Sequence, residues 1–179
     1  MDAAVKLDRF LAGVERRAFR VAQLALRDRD DALDVVQGAM LRLARSYGGR
    51  SSEEWPALFF RILYNGIHDA QRRRAVRSRI FGLWPGGRTD GEDESDPLER
   101  IASRAPEPDR ELMAAEAMRH LESALAELPA RQRQAFVLRC LQGLDVAETA
   151  QAMECSEGSV KTHYFRALHA LRGRLEEVW

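Results

Sequence analysis

The chain has 179 residues, of which 31% are charged and 45% hydrophobic, and its formal net charge is zero. These values fit one or two globular domains and exclude a collagen-like, a disordered and a membrane-embedded chain. The N-terminus lacks the apolar run of a signal peptide, and no stretch is long and apolar enough to cross a bilayer. We therefore expect a cytoplasmic protein without direct membrane insertion.

Two amphipathic helices are predicted first. Apolar residues recur at helical spacing across residues 7–22 and again across residues 35–44. Asp30 or Asp31 can cap the second helix, because an acidic side chain accepts hydrogen bonds from the free N–H groups of a first turn. The paired glycines Gly48 and Gly49 then interrupt the pattern.

A third helix is predicted to run into an arginine-rich segment. Ser51 and Glu54 have capping-box spacing, and Pro56 suits a first turn. The helix ends among six arginines with no acidic residue between them: Arg72, Arg73, Arg74, Arg77, Arg79 and Arg88. Beside aromatic residues such a run can hold a nucleic-acid backbone, but it also suits a solvated helix end that complements the helix dipole.

Residues 82–108 differ in composition from the rest of the chain. Glycine and proline recur, acidic residues dominate and few large apolar residues remain. This composition predicts a flexible linker. Since no β pattern occurs on either side, we predict an all-α protein with two small helical domains, residues 1–81 and 109–179.

The second domain is predicted to end in a helix-turn-helix. A long helix leads to Pro129, which starts the next one, and Gly143 ends that helix. Asp145 can cap a short helix and Ser156 a second one after a tight turn. The second helix of such a motif normally enters the major groove of DNA.

The outer face of that last helix carries hydroxyls and cations suited to base edges and phosphates. These candidate DNA-binding residues are Ser156, Ser159, Lys161, Thr162, His163 and Arg166. The alternative is an ordinary solvated helix face.

Nothing in the sequence indicates an enzyme, a metal site or a cofactor. Cys140 and Cys155 have no metal-binding spacing, so we expect two buried thiols. No histidine pairs with a cysteine or carboxylate in a catalytic pattern, and the chain has no glycine-rich phosphate loop. We expect no small-molecule substrate.

Two parts of the chain together resemble the extracytoplasmic-function (ECF) RNA polymerase sigma factors, the smallest branch of the sigma-70 family. The segments DALDVVQGAMLRLAR (31–45) and ALFFRILYNGIHDAQRRR (57–74) resemble their region 2. The segment LAELPARQRQAFVLR (125–139) and the helix-turn-helix resemble their region 4. The resemblance implies that residues 1–81 are region 2, residues 82–108 the linker and residues 109–179 region 4.

The resemblance also implies roles for individual residues. Asp34 and Gln37 stand where the family contacts the clamp helices of the largest polymerase subunit, and region 4 is expected to meet the polymerase flap. The recognition helix, 156–166, would read the −35 promoter element as a duplex. The non-template strand of the −10 element would meet one face of the third helix and the preceding loop, at Tyr47, Arg50, Ser52, Asn65, Asp69, Arg72 and Arg73.

Further expectations concern regulation. The family implies an anti-sigma factor as a partner, and two domains that pack together and hide both DNA surfaces until polymerase spreads them. Leu33 and Gly38 replace acids usual in the family, which favours a weaker electrostatic contact with polymerase unless another device compensates. The competing interpretations are a helix-turn-helix regulator of the LuxR type and an adaptor that makes protein contacts only.

Overall fold

The computed structural model describes residues 3–81 and 108–176, and these residues are helical with no strand among them. The predicted all-α fold is confirmed. The predicted linker lies outside the described residues, apart from its last residue, Pro108, which begins a helix. The helices are α1 (Ala3–Leu26), α2 (Arg29–Tyr47), α3 (Trp55–Phe81), α4 (Pro108–Glu127), α5 (Ala130–Phe136) with a π-helical turn (Val137–Leu141), α6 (Val146–Met153) and α7 (Glu157–Glu176).

The turn between α1 and α2 differs from the sequence prediction. Asp28 caps α2 by accepting a hydrogen bond from the backbone N–H of Asp31 at 3.0 Å, whereas Asp30 and Asp31 lie inside the first turn. The predicted cap at Asp30 or Asp31 is therefore wrong. Arg27 adopts a left-handed conformation with φ of 52°, so the chain reverses early and leaves Asp28 at the cap.

The start of α3 also departs from the expected capping box. The Ser51 hydroxyl accepts a hydrogen bond from the N–H of Glu53 at 3.4 Å within a turn, and α3 begins only at Trp55. The indole N–H of Trp55 donates to the carbonyl of Tyr47 at 3.2 Å and joins the two ends of the loop. Pro56 does lie in the first turn of α3, as predicted.

Side chains of α3 hold the end of α1. The Gln71 amide donates to the carbonyl of Ala25 at 3.1 Å, and the Arg74 guanidinium donates to that of Leu26 at 3.0 Å. Both bonds satisfy carbonyls that a helix end leaves without partners. They fix α3 as the central helix of the N-terminal half.

The helix-turn-helix is closed by the local signals that the sequence predicted. Gly143 has a φ of 73° and ends the preceding helix, because glycine enters this region without strain. Asp145 caps α6 in a complete capping box with Glu148. Ser156 caps the start of α7 by accepting the N–H of Ser159 at 3.1 Å.

The expectation of two buried thiols is wrong. Cys140 is exposed and Cys155 is half-buried. Cys140 lies on the π-helical turn, where the N–H of Gln142 donates to the carbonyl of Val137 at 3.0 Å. The extra residue in this turn shifts the helical phase, so a 3.6-residue period extended from α5 misplaces Cys140.

The two halves of the chain share one hydrophobic core. α3 packs along α6 and α1 meets α4. Buried residues of the C-terminal half, among them Val137, Leu138 and Met153, join the same apolar cluster as Leu63 and Ile67 of α3. The expectation that the halves pack together is confirmed.

Candidate nucleic-acid interface

The last helix presents opposite faces to the core and to solvent. Val160, Ala167 and Leu171 are buried, and they fix the rotation of α7. Lys161, Thr162 and Arg166 are consequently exposed. These three residues form the outward face that the sequence predicted for DNA contact.

The other predicted members of this face are less free. The hydroxyls of Ser156 and Ser159 lie 2.9 Å apart, and the Thr162 hydroxyl donates to the carbonyl of Gly158 at 2.9 Å. Ser159 and His163 are half-buried, and the Nδ1 of His163 is buried without a hydrogen-bond partner among the described residues. Ser156 and Ser159 thus serve the cap of α7, while His163 lies at the edge of the outward face.

Phe165 belongs to the same outward face and was not predicted from the sequence. It is 70% exposed, although an aromatic ring normally contributes to a core. The signal was present, because Phe165 falls outside the buried stripe of Val160, Ala167 and Leu171. An exposed ring on a recognition helix offers an apolar contact for a thymine methyl group.

The outer face of α3 carries the residues predicted to meet single-stranded DNA. Asn65, Asp69, Arg72 and Arg73 are all exposed. The Asp69 carboxylate lies 3.4 Å from the Arg72 guanidinium, which confirms that residues three apart share this face. Such an exposed pair contributes little to stability, so both groups are available to a ligand.

The loop before α3 has a fixed inner part and an exposed rim. Tyr47 is half-buried, whereas Arg50 and Ser52 are exposed. The Arg50 guanidinium lies 3.6 Å from the Glu54 carboxylate. A Cβ atom on Gly48 would lie 2.8 Å from the carbonyl oxygen of Ala44, so this close approach requires glycine.

The outer face of α2 is partly apolar. Asp34 and Gln37, the predicted polymerase contacts, are exposed. Leu33 is 37% exposed and Leu41 is 55% exposed, and a Cβ atom on Gly38 would meet open space. The positions that lack the usual acids are therefore at the surface.

Polar groups are buried where α3 meets α5. Burial raises the pKa of Tyr64 far above its ordinary value. Burial also lowers the pKa of Arg133, with Arg27 acting in the same direction. The pKa of His68 is lowered, first by burial and then by the charge of Arg131.

Packing of the halves does not hide the predicted DNA contacts. Lys161, Thr162 and Arg166 on α7 are exposed, as are Asn65 and Asp69 on α3. The expectation that both DNA surfaces are covered is therefore wrong for these side chains. The residues that α3 buries against the C-terminal half lie on a neighbouring helix face.

No group of three or more histidine, cysteine, aspartate or glutamate side chains within residues 3–81 and 108–176 could hold a metal ion. In the same part of the chain, no helix has the length and apolar character needed to span a membrane.

Comparisons with known proteins agree with this arrangement. Residues 118–171 match the family described as sigma-70, region 4. The chain is 30% identical to ECF RNA polymerase sigma factor SigX of Bacillus subtilis over 155 residues, which cover 84% of this chain and 74% of SigX. It is 31% identical to ECF RNA polymerase sigma factor SigM of Mycobacterium tuberculosis over 153 residues, covering 85% of this chain and 68% of SigM.

A solved structure shares the fold. The sigma factor RpoE of Bartonella quintana, in a co-crystal with the anti-sigma factor NepR, superposes with a TM-score of 0.65 at 22% identity. The match covers 94% of this chain and 96% of RpoE. The similarity to SigX and SigM extends over both halves and favours a sigma factor over a LuxR-like regulator. The chain belongs to the ECF RNA polymerase sigma factors.

Proposed function

We propose that this sigma factor binds core RNA polymerase through the outer face of α2 and directs it to promoters with α7 and α3. α7 reads the −35 element as duplex DNA. The outer face of α3 and the loop before it hold the non-template strand of the −10 element. The protein acts by binding and has no catalytic step of its own, and its place of action is the bacterial cytoplasm.

The observation that carries this proposal is the exposure of two separate sets of DNA-suited side chains. Lys161, Thr162 and Arg166 project from the second helix of a helix-turn-helix, the position from which such motifs reach the major groove. Asn65, Asp69 and Arg72 project from α3. A hydrogen-bonding amide and exposed cations suit an unstacked strand, whose base edges and phosphates are both accessible.

Residue 165 adds a contact that the sequence did not predict. Phe165 lies four residues after Lys161 on the recognition helix and is largely exposed. We assign it an apolar contact within the −35 element, beside the cations that hold the phosphates.

The partners follow from this function. Asp34 and Gln37 are assigned to the clamp helices of the largest polymerase subunit, and the C-terminal half to the flap. Because RpoE of Bartonella quintana forms a complex with an anti-sigma factor, we also assign this chain a protein inhibitor of that class.

The decisive experiment is binding of the purified full chain to bacterial core RNA polymerase, followed by run-off transcription from a promoter library. We expect a stable complex and new start sites that depend on the added chain. An Asp34→Ala, Gln37→Ala double variant should lose core binding, whereas a Lys161→Ala, Arg166→Ala control should retain it. Specific duplex binding without polymerase binding would contradict the proposal and support a conventional regulator.

A further inference from the structure

The contact between α3 and the C-terminal half joins two surfaces that must act far apart. α3 has 27 residues and is therefore about 40 Å long. α6, the first helix of the helix-turn-helix, packs directly on it. The −35 and −10 elements are separated by about 25 base pairs, or about 85 Å of B-form DNA at 3.4 Å per base pair. The closed arrangement cannot reach both elements, so this contact has to open.

The contact is held by buried apolar groups around Tyr64. Tyr64 is only 7% exposed. Together with Ile67 and His68 it lines a cavity of about 20 Å³ that Ala130 and Val137 of the C-terminal half close from the other side. A cavity of this size has room for one water molecule. Burial of these side chains favours closure, because it removes apolar surface from water.

Like charges oppose the same contact. Arg133 of α5 lies at the cavity and feels the positive charge of Arg27, which lowers its pKa. The charged groups that act on His68 are Arg131 of α5 and Arg72 and Asp69 of α3. Arg72 is already paired with Asp69 at 3.4 Å. A proton on His68 would therefore add positive charge to a contact that brings cations together from both sides.

We infer that the contact of α3 with α5 and α6 is an autoinhibitory latch, closed while His68 is neutral and loosened when His68 is protonated. This inference rests on the proposed function, since closure is inhibitory only if both DNA surfaces must engage one promoter. The direction follows from linkage. In the open form His68 regains its ordinary pKa of about 6.5, so the open form binds the proton more readily and is favoured as the pH falls below that value.

The test is small-angle X-ray scattering of the full chain from about pH 8 to about pH 5.5, on both sides of the ordinary histidine pKa. We expect the radius of gyration of the wild type to rise by several ångströms on acidification, with unchanged helix content by circular dichroism. His68→Gln should stay compact throughout, and His68→Arg should be expanded throughout. His169→Gln, at an exposed histidine of α7, should behave like the wild type.

Two results would overturn the latch. One is equal expansion of the wild type and His68→Gln, or of His68→Asn if the glutamine variant does not fold. The other is expansion of the wild type accompanied by loss of helix content, or the absence of any expansion.

A polymerase assay separates this inference from the proposed function. At about pH 8, where an ordinary histidine is neutral, His68→Arg should bind core polymerase severalfold more tightly than the wild type. If the wild type binds no polymerase, the proposed function fails. If the wild type binds and His68→Arg binds no more tightly, the inhibitory role of the contact fails.

Discussion

Asp145 and Glu148 cap each other across the first turn of α6. The Asp145 carboxylate accepts the backbone N–H of Glu148 at 2.7 Å, and the Glu148 carboxylate accepts that of Asp145 at 2.7 Å. The reciprocal bonds fix where the first helix of the helix-turn-helix begins. They act at a distance from the outward face of α7, so they can be removed without touching a predicted DNA contact.

Asp145→Ala is therefore expected to destabilise the protein and to weaken −35 recognition indirectly. Loss of an N-cap costs about 0.5–2 kcal/mol. The free energy of unfolding can be measured by urea denaturation, and −35 affinity by titration of the holoenzyme with promoter fragments. Asp28→Ala removes the cap of α2 and is the matched control, because it should lose similar stability and leave −35 affinity unchanged. Equal DNA affinity of wild type and Asp145→Ala would contradict this expectation.

These caps also show what the sequence could predict. The caps at Asp145 and Ser156 were predicted because each bond joins residues three apart in the chain. The cap of α2 was not, because Asp28, Asp30 and Asp31 offer the same chemistry. Only the left-handed turn at Arg27 selects Asp28, and no local pattern marks that conformation in a residue other than glycine.

Burial was harder to predict where helical periodicity fails or where the two halves meet. The π-helical turn places Cys140 at the surface against the expected phase. The exposed face of α7 was largely predictable from its apolar stripe, yet Phe165 was missed because aromatic residues are usually assigned to a core. Packing of the halves was expected from family resemblance, but its contact at Tyr64 and Arg133 depends on tertiary structure.

Lys161→Ala and Arg166→Ala are each expected to weaken −35 binding. Both cations are exposed on α7, and removing one cation from a DNA phosphate should reduce the slope of log K against log salt by about 1. The holoenzyme can be titrated with promoter duplex at several salt concentrations. Arg16→Ala, at an exposed arginine of α1, controls for the change in net charge. An unchanged salt slope in both variants would remove α7 from the DNA interface.

Phe165→Ala should alter recognition of thymine without loss of stability. The ring is 70% exposed, so its removal opens no cavity. Replacing thymine by uracil in the −35 element removes methyl groups, each worth about 0.8 kcal/mol when buried. Wild-type binding should weaken on this replacement, and binding by Phe165→Ala should not. Equal sensitivity of the two proteins would show that Phe165 makes no methyl contact.

Asn65→Ala is expected to impair melting of the −10 element while −35 binding persists. Asn65 is exposed on the outer face of α3 with Asp69 and Arg72. Melting can be followed by the fluorescence of 2-aminopurine placed in the non-template strand. Ser78→Ala is the control on the same helix, since Ser78 is exposed and its hydroxyl donates to the carbonyl of Ala75 within its own helix. Normal melting by Asn65→Ala would contradict the assignment.

Tyr64→Phe should protect the protein from alkaline destabilisation. Burial raises the pKa of Tyr64, so the folded form holds its phenol proton more tightly than the unfolded chain. The resulting stability is complete below the ordinary tyrosine pKa of about 10 and is lost as the pH rises above it. Thermal unfolding followed by circular dichroism between about pH 8 and about pH 11 should show a falling midpoint for the wild type and a smaller fall for Tyr64→Phe.

The control for this prediction is Tyr47→Phe. Tyr47 is half-buried, and its side chain should contribute little to the alkaline loss. Absorbance of tyrosinate at alkaline pH adds an independent measure, because Tyr64 should ionise only when the contact around it opens. If Tyr64→Phe and Tyr47→Phe lose stability as steeply as the wild type, the phenol of Tyr64 does not sense closure of the two halves.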